Sequence, residues 1–257
     1  MTDRESPRQI LALIPARGGS KSIPRKNLLM VGGKPLIAHS IEQALASRRI
    51  TRTIVSTDDA EIADVARQYG ADVPFMRPSD LAQDLSPDID VFRHALGWLR
   101  DREGYHCDLV VHLRPTGPVR RVALIDEAVE LLLRSPDAHS LRSVSRALQT
   151  PYKMWRIVDG HLDPLLRIDG VPEPHCMPRQ SLPGVYWQNG YVDIVRPAVV
   201  IELGMMTGQK IVPFVVDDPV LELDYPDAIP HLEAALSALQ RGEWPGSLSP
   251  QPVRHPV

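Results

Sequence analysis

Short apolar runs alternate with amphipathic stretches through the first half of the chain. The runs predicted to be strands are residues 10–14, 53–56, 73–76, 109–113 and 140–144, of which the third is short and edge-like. Between them, apolar residues recur at helical spacing, which predicts helices over 36–47, 59–69, 88–102 and 123–134. This alternation predicts an α/β fold with a mostly parallel sheet and helices on both faces. Ligands of such sheets bind at the carboxyl ends of the strands.

The alternation breaks between residues 147 and 186, where prolines and isolated glycines are frequent. This pattern indicates an excursion of short strands and loops, which would serve either as a subunit interface or as a plain surface lobe. The core pattern returns in strands at 190–195 and 210–216 and a helix over 225–239. We therefore predict a core of residues 8–146 and 187–240, an insertion at 147–186 and a flexible tail at 241–257.

The loop after the first strand concentrates glycines and cations. It contains Gly18, Gly19 and Ser20, followed or preceded within a few residues by four cations, Arg17, Lys21, Arg25 and Lys26. Glycines let backbone N–H groups approach a ligand closely, and clustered Arg and Lys neutralise an anion. The alternative is a solvated basic surface loop. The loop lacks both the P-loop and the G-x-G-x-x-G patterns, so it predicts a polyphosphate site of another kind.

Composition limits the kind of ligand and compartment. The net charge of −3 gives no overall basic field for nucleic acid, so the basic loop suits a small anion. No apolar run approaches the roughly 20 residues of a membrane span, and the first apolar run is too short for a signal peptide. We therefore expect a cytoplasmic protein without membrane contact. The two cysteines have no paired spacing and are both expected to be buried, inert thiols.

A second group of functional candidates is acidic. Glu222 and Asp224 follow the last predicted strand and are two residues apart. In an extended segment such residues point to one side, where two carboxylates can hold Mg²⁺. The alternative is an acidic solvated loop in which Asp227 only caps the following helix.

The remaining candidates lie after other strands. Arg114 and Thr116 follow the strand at 109–113, which places them at the ligand edge of the sheet. Asp58 and Asp59 are expected to cap the helix that begins there, and the acidic residues at 80, 84, 88 and 90 to be caps or solvated charges. No histidine has metal-ligand spacing, and His94 and His112 are expected to be structural.

Six segments together resemble one family, the acylneuraminate cytidylyltransferases or CMP-sialic acid synthetases. They are ARGGSKSIPRKNL, VSTDDAEIADVARQYGADVPFMRP, LAQDLSPDID, LRPTGPVR, PRQSLPGVYWQNGYVDI and ELDYPDA, in the family's order over residues 10–239. The resemblance implies a Rossmann-like (GT-A-like) nucleotidyltransferase fold and a homodimer built through the insertion at 147–186. It also implies a Mg²⁺-dependent transfer from CTP to a nonulosonic acid, giving a CMP-sugar and pyrophosphate.

The resemblance also assigns residues. The nucleotide-binding residues it implies are Arg17, Gly18, Gly19, Ser20, Lys21, Lys26, Asn27, Arg77, Ser86 and Asp88. Arg17 and Lys21 among them would be catalytic. The sugar-binding residues it implies are Arg114, Thr116, Arg179, Gln188 and Asn189, and the metal ligands are Glu222 and Asp224.

The chain departs from the family pattern at two points. The family usually has LQPTSPLR where this chain has LRPTGPVR, so Arg114 replaces a glutamine that would touch the acyl sugar. The family's metal motif is usually DID, and Glu222 replaces its first aspartate. Two other functions stay open: a GTP-dependent guanylyltransferase acting on an amino-sugar phosphate, and a non-catalytic nucleotide-binding protein.

Overall fold

The structure, a computed structural model, describes residues 8–243. Its strands are β1 (Ile10–Pro15), β2 (Met30–Val31), β3 (Lys34–Pro35), β4 (Arg52–Ser56), β5 (Leu109–His112), β6 (Ser140–Arg146), β7 (Trp155–Val158), β8 (His161–Pro164), β9 (Tyr186–Val195) and β10 (Ile211–Val215). Its α-helices are α1 (Leu36–Ala46), α2 (Ala60–Gln68), α3 (Asp88–Glu103), α4 (Val122–Leu133), α5 (Pro197–Ile201) and α6 (Ile229–Gln240).

Six strands form the central sheet in the order β10-β6-β9-β5-β1-β4. The pairs β1–β4, β1–β5 and β6–β10 are parallel, and β9 runs antiparallel to both of its neighbours, β5 and β6. The predicted mostly parallel sheet is confirmed. Because β1, β4, β5, β6 and β10 run the same way, the loops that follow them meet at one edge of the sheet.

Side chains alternate across β1 and bury both faces of the sheet. Ile10, Ala12 and Ile14 pack with α1, α2 and α4, whereas Leu11 and Leu13 pack with α3 and α5. All five are almost completely buried. Strands buried on both faces are typical of sheets covered by helices on each side, so the predicted three-layer arrangement is confirmed.

A smaller apolar cluster anchors the acidic segment. Leu223 is fully buried beside α6, Val31 of the β2–β3 hairpin and Leu36 of α1. Its backbone N–H donates to the carbonyl of Thr116 at 2.7 Å. Burial of Leu223 therefore holds its neighbours Glu222 and Asp224 against the turn that follows β5.

Three details differ from the sequence expectations. Residues 73–76 do not form a strand: the only ladder contact there is an isolated bridge between Ile54 and Asp72, and Pro74 removes a donor just beyond it. Strand β9 begins at Tyr186, four residues before its expected start, and pairs with the end of β6. Cys176 is exposed and Cys107 only partly exposed, so the expectation of two buried thiols is wrong for Cys176.

The insertion at 147–186 contains the β7–β8 hairpin and short 3₁₀ turns. These turns are Pro151–Lys153, Pro174–Cys176 and Arg179–Ser181. Of the predicted tail, residues 244–257 lie outside the described residues. Within residues 8–243, none of the helices has the length and apolar character that crossing a bilayer requires.

Candidate active site

A cleft of about 300 Å³ opens at the edge of the sheet where β1, β4 and β5 end. It is lined by Pro15, Arg17, Gly19, Ser20, Lys26, Asn27, Arg77, Leu81, Gln83, Asp84, Ser86, Asp88, Val91, His112, Arg114, Pro115 and Thr116. These residues come from the basic loop, from the segment before α3 and from the turn after β5. The cleft thus gathers residues from Pro15 to Thr116 at one place, as the parallel topology predicts.

The basic loop is held in place by the segment after β4. The backbone N–H of Gly18 donates to Oδ1 of Asp58 at 3.0 Å, and Nδ2 of Asn27 donates to the carbonyl of Arg17 at 2.9 Å. A Cβ at Gly18 would lie 2.7 Å from Oδ2 of Asp59, so only glycine fits there without a shift. Gly18 therefore serves the shape of the loop, and its N–H does not face the cleft as a free donor.

Two cations of the loop share one carboxylate. Oδ1 of Asp84 lies 3.1 Å from Nη1 of Arg17, and Oδ2 of Asp84 lies 2.6 Å from Nζ of Lys21. Nη1 of Arg17 also donates to the carbonyl of Gln83 at 2.7 Å. The ammonium of Lys21 holds the pKa of Asp84 below its usual value. Lys21 itself is 83% exposed and does not line the cleft, and among residues 8–243 its link to the site is the ion pair with Asp84.

Arg77 brings a buried guanidinium to the cleft wall. Its side chain is only 4% exposed, and its backbone N–H donates to the carbonyl of Thr57 at 2.7 Å. Its nearest acid is Asp58, 3.7 Å away, and Nε and Nη2 have no hydrogen-bond partner among the described residues. Burial lowers the pKa of Arg77, but an arginine stays charged at any pH near neutrality. Unpaired buried donors are costly, so this guanidinium is suited to receive ligand oxygens.

Glu222 and Asp224 lie beside the cleft rather than in its lining. Oδ1 of Asp224 is 3.7 Å from Nζ of Lys26, which does line it. Burial and the neighbouring Asp224 raise the pKa of Glu222. A Cβ at Gly190 would lie 3.1 Å from Oε1 of Glu222 and 3.5 Å from Nη1 of Arg114, so the acidic and sugar-side candidates adjoin one another.

The predicted sugar-binding residues separate into two groups. Arg114 and Thr116 line the cleft, whereas Arg179, Gln188 and Asn189 do not. Nη2 of Arg179 donates to the carbonyl of Ala147 at 3.0 Å. The amide of Asn189 is used within the fold, since it donates to Oγ of Ser145 at 2.8 Å and accepts from the N–H of Tyr191 at 3.1 Å.

Several polar residues of the site had no signal in the sequence. Asp84 looked like a solvated charge, and His112 looked structural because it falls inside an apolar strand. No pattern in the sequence marks Asp193 or Arg142 as a site residue, yet Asp193 lies 2.6 Å from Nη1 of Arg114. Pairing of β5, β9 and β6 brings these side chains together, and no pattern along one strand could indicate it.

Comparisons with known proteins fit this geometry. A family model described as cytidylyltransferase matches residues 11–154. A CMP-N,N'-diacetyllegionaminic acid synthase of Legionella pneumophila is 47% identical over 123 residues, which are 48% of this chain and 53% of that protein. An N-acylneuraminate cytidylyltransferase of Escherichia coli is 37% identical over 153 residues, which are 60% of this chain and 35% of that protein. The chain thus spans about half or less of the length of these two relatives.

A third relative aligns over most of both chains. The post-translational flagellin modification protein B of Campylobacter coli is 30% identical over 212 residues, covering 82% of this chain and 87% of that protein. Among solved structures, a CMP:2-keto-3-deoxy-manno-octonic acid synthetase complexed with CTP superposes with a TM-score of 0.67 at 17% identity, over 90% of this chain and 99% of that one. The structural likeness confirms the nucleotidyltransferase fold. Together with the family match and the cleft, the sequence likeness establishes that the chain belongs to the cytidylyltransferase family.

Proposed function

We propose that the protein is a cytidylyltransferase that activates a nonulosonic acid: CTP and a sialic-type 2-keto sugar acid give a CMP-sugar and pyrophosphate. The observation that carries this proposal is the cleft itself, where the buried guanidinium of Arg77, two of whose nitrogens have no hydrogen-bond partner among the described residues, meets the cations of the glycine loop. Family membership and relatives named for the same kind of reaction support it.

The nucleoside end of CTP would lie against Arg77. Its Nε and Nη2 have no hydrogen-bond partner among the described residues, so they would donate hydrogen bonds to the oxygens of a ribose or a pyrimidine base. Asn27, Ser86 and Asp88 line the same wall and supply further polar groups. A cytosine is recognised by such a mixture of donors and acceptors.

The triphosphate would lie against the basic loop. Arg17, Lys21 and Lys26 supply positive charge, and Gly19 and Ser20 line the cleft beside them. Asp84 offsets one of the two positive charges of Arg17 and Lys21, so an incoming phosphate would exchange with this carboxylate. Because the ion pair is exposed at Lys21, breaking it costs little.

Glu222 and Asp224 fit a divalent cation, for which we propose Mg²⁺. Both offer hard oxygen ligands, and burial and, after it, the charge of Asp224 raise the pKa of Glu222, so a cation bound between the carboxylates would relieve their repulsion. When bound, Mg²⁺ would supply positive charge to the phosphate oxygens. Lys26, whose Nζ is 3.7 Å from Oδ1 of Asp224, would contact both the triphosphate and a metal ligand and so hold the two close together.

In the proposed reaction the anomeric oxygen of the sugar acid forms a bond to the α-phosphorus while the bond to the β-phosphate bridging oxygen breaks. The hydroxyl proton is released to solvent water, and pyrophosphate leaves. Arg17 and Lys21 would stabilise the charge that grows on the transferring and leaving groups, so catalysis is mainly positioning and electrostatics. The CTP requirement agrees with the cytoplasmic location predicted from the sequence, because that compartment holds the nucleotide pool.

We also propose a homodimer formed through the insertion at 147–186. Large apolar side chains at least a third exposed are concentrated there and at the start of β9. They are Leu148, Met154, Trp155, Ile157, Val158, Leu162, Leu165, Leu166, Tyr186 and Trp187. An exposed apolar patch of this kind marks a surface for protein contact.

Pyrophosphate release from the purified protein tests the proposed activity. CTP, GTP, UTP and ATP would each be paired, with Mg²⁺, with N-acetylneuraminic, N,N'-diacetyllegionaminic and pseudaminic acids and with amino-sugar phosphates. We expect release only with CTP and a nonulosonic acid. Release only with GTP and a sugar phosphate would instead assign the guanylyltransferase reaction, and binding of CTP without release from any pair would favour a non-catalytic protein.

Arg17→Ala tests the role of the loop. Loss of one charged contact to a developing oxyanion should lower turnover roughly 100-fold or more. Arg134→Ala removes the same charge from the exposed end of α4 and should leave turnover unchanged. Equal turnover in Arg17→Ala and in the unaltered protein would contradict the assignment.

A further inference from the structure

A row of charged and polar side chains crosses the interior of the sheet below the cleft. His112 on β5 is directly opposite Asp193 on β9, and Asp193 is directly opposite Arg142 on β6. Directly paired residues of neighbouring strands point to the same face of a sheet. His112 and Asp193 are 2% and 3% exposed, and Arg142 is also mostly shielded. Burying charged groups in this way costs desolvation free energy, so the row points to a role other than stability.

One carboxylate in this row holds two guanidinium groups. Oδ2 of Asp193 lies 2.5 Å from Nη1 of Arg142 and 2.6 Å from Nη1 of Arg114. Arg142 does not line the cleft, whereas Arg114 does. Asp193 therefore fixes the direction of Arg114, and Arg142 already offsets the charge of Asp193. The three side chains together carry one net positive charge, and Arg114 is the cation among them that lines the cleft.

The other charges near Arg114 do not cancel this surplus. Asp88 is 3.7 Å from Nη2 of Arg114, but its side chain is half exposed, so its effect is screened by water. Glu222 adjoins Arg114 across Gly190, but in the proposed complex its charge is balanced by the divalent cation. Buried Arg120 adds a further positive charge, and its described hydrogen bonds all go to uncharged acceptors.

His112 is an uncharged ring that lies near the guanidinium groups at this end of the cleft. Burial, followed by Arg114, Arg142 and Arg120, lowers the pKa of His112 far below its usual value. Its two ring nitrogens and Oδ1 of Asp193 have no hydrogen-bond partner among the described residues. The inner end of the cleft is thus a polar pocket in which several buried groups have no hydrogen-bond partner among the described residues.

We infer that Arg114 binds the carboxylate of the acceptor sugar acid. Asp193 orients its guanidinium, and Arg142 offsets the negative charge of Asp193, so the positive charge of Arg114 remains available to the substrate. This inference rests on the proposed function. A guanidinium donates only, so the group it faces must be an acceptor, and a carboxylate matches its fork with two parallel bonds. Asp193 and Arg142 are positioning residues, since they act on the substrate only through Arg114.

The test compares each acid with its neutral C1 carboxamide. The unaltered protein with CTP should prefer N-acetylneuraminic or N,N'-diacetyllegionaminic acid to the carboxamide by about 100-fold or more in kcat/KM, as expected for a charged bidentate pair. In Arg114→Gln this preference should fall at least tenfold through the KM of the acid, while the KM of CTP changes less than about twofold.

Arg142→Met gives the sharper result. It leaves Arg114 and Asp193 in place but makes them a neutral pair, so the preference for the acid should again fall about tenfold. Arg142→Lys keeps the charge and should restore most of the preference. Arg134→Met removes one charge far from the cleft and should retain all of it. CTP binding and the melting temperature of each variant show whether it is folded.

The two proposals fail in different ways. If the unaltered protein releases no pyrophosphate with CTP and any of the acids, the proposed function is wrong and this inference falls with it. If it releases pyrophosphate but Arg114→Gln and Arg142→Met keep the preference for the acid, only the role of Arg114 is wrong. A purely structural role for Arg142 would lower the melting temperature and leave the preference unchanged.

Discussion

Gly190 shows how a single residue lets the acidic segment approach the turn after β5. Its φ of +67° lies in the left-handed region, and its missing side chain leaves Glu222 and Arg114 room on either side. A residue with a Cβ would be strained by its backbone and would press on a proposed metal ligand at the same time.

Gly190→Ala should therefore lower the free energy of unfolding by about 1–2 kcal/mol. It should also raise the Mg²⁺ concentration needed for half-maximal turnover. Urea titration and the Mg²⁺ concentration for half-maximal turnover measure the two effects. Gly97→Ala is the matched control, because Gly97 lies inside α3 with open space around its Cβ position. It should stabilise by up to about 1 kcal/mol, and equal effects of the two changes would contradict this account.

The start of α2 couples an element boundary to the site. The side chain of Asp59 accepts a hydrogen bond from the N–H of Ile62, which satisfies one of the free donors of the first turn. The same carboxylate pairs with Arg25 and closely approaches Gly18, so the cap also shapes the basic loop. The predicted cap at Asp59 is confirmed, whereas Asp58 bonds to Gly18 instead of capping the helix.

Asp59→Ala should cost about 1 kcal/mol of stability through the lost cap. It should also raise the KM of CTP, because the loop loses a contact that defines its shape. Asp64→Ala in the middle of α2 removes an exposed acid paired only with Arg67 and should change neither quantity by much. The free energy of unfolding and the KM of CTP are measured on both variants. An unchanged KM in Asp59→Ala would show that the cap does not affect nucleotide binding and would contradict this prediction.

At the scale of the whole molecule, buried histidines make stability depend on pH. Burial is the largest cause of the lowered pKa of His39, His94 and His112. The unfolded chain takes up protons at these residues as the pH falls through about 6.5, whereas the folded chain takes them up only at lower pH, because their pKa values are lowered. Their neutral forms therefore allow full stability above about pH 6.5, and stability falls as the pH drops below it.

We expect the free energy of unfolding to decrease between pH 6.5 and 5.5, by at most about 1.4 kcal/mol per pH unit for each histidine that stays neutral. His112→Gln should reduce this slope, because His112 is the most deeply buried of the three. His106→Gln, at an exposed position, should leave the slope unchanged. Urea titrations at a series of pH values measure it, and a slope unaffected by His112→Gln would contradict the assignment.

Assembly also belongs to this scale. If the insertion forms the dimer interface, the protein should elute with about twice the chain mass of 28.6 kDa in size exclusion with light scattering. Ile157→Asp, at a side chain 79% exposed on β7, should shift the protein to the monomer mass. Leu203→Asp, an exposed apolar residue after α5, should remain dimeric. A monomer in the unaltered protein would contradict the proposed interface.

Local patterns predict most of the elements and the segments of the cleft. The apolar runs and helical spacing indicate the central strands and five of the six described α-helices, because buried faces leave a period that can be read along one segment. They do not indicate the short helix α5 or the β2–β3 hairpin. The glycine and cation loop and the turn after β5 were also predicted, since parallel strands bring their carboxyl ends together. The one false strand, at 73–76, has the right apolar residues and a proline where a donor is needed.

The sequence by itself determined the family, the layered α/β fold and the chemical character of the loop that lines the cleft. Only the tertiary structure decided which charges share a partner: Asp84 with Arg17 and Lys21, and Asp193 with Arg114 and Arg142. The physical reason is distance along the chain. The side chains of β5, β6 and β9 come together only when these strands pair. Asp193 is 79 residues from Arg114, so no local sequence pattern indicates that it orients this guanidinium.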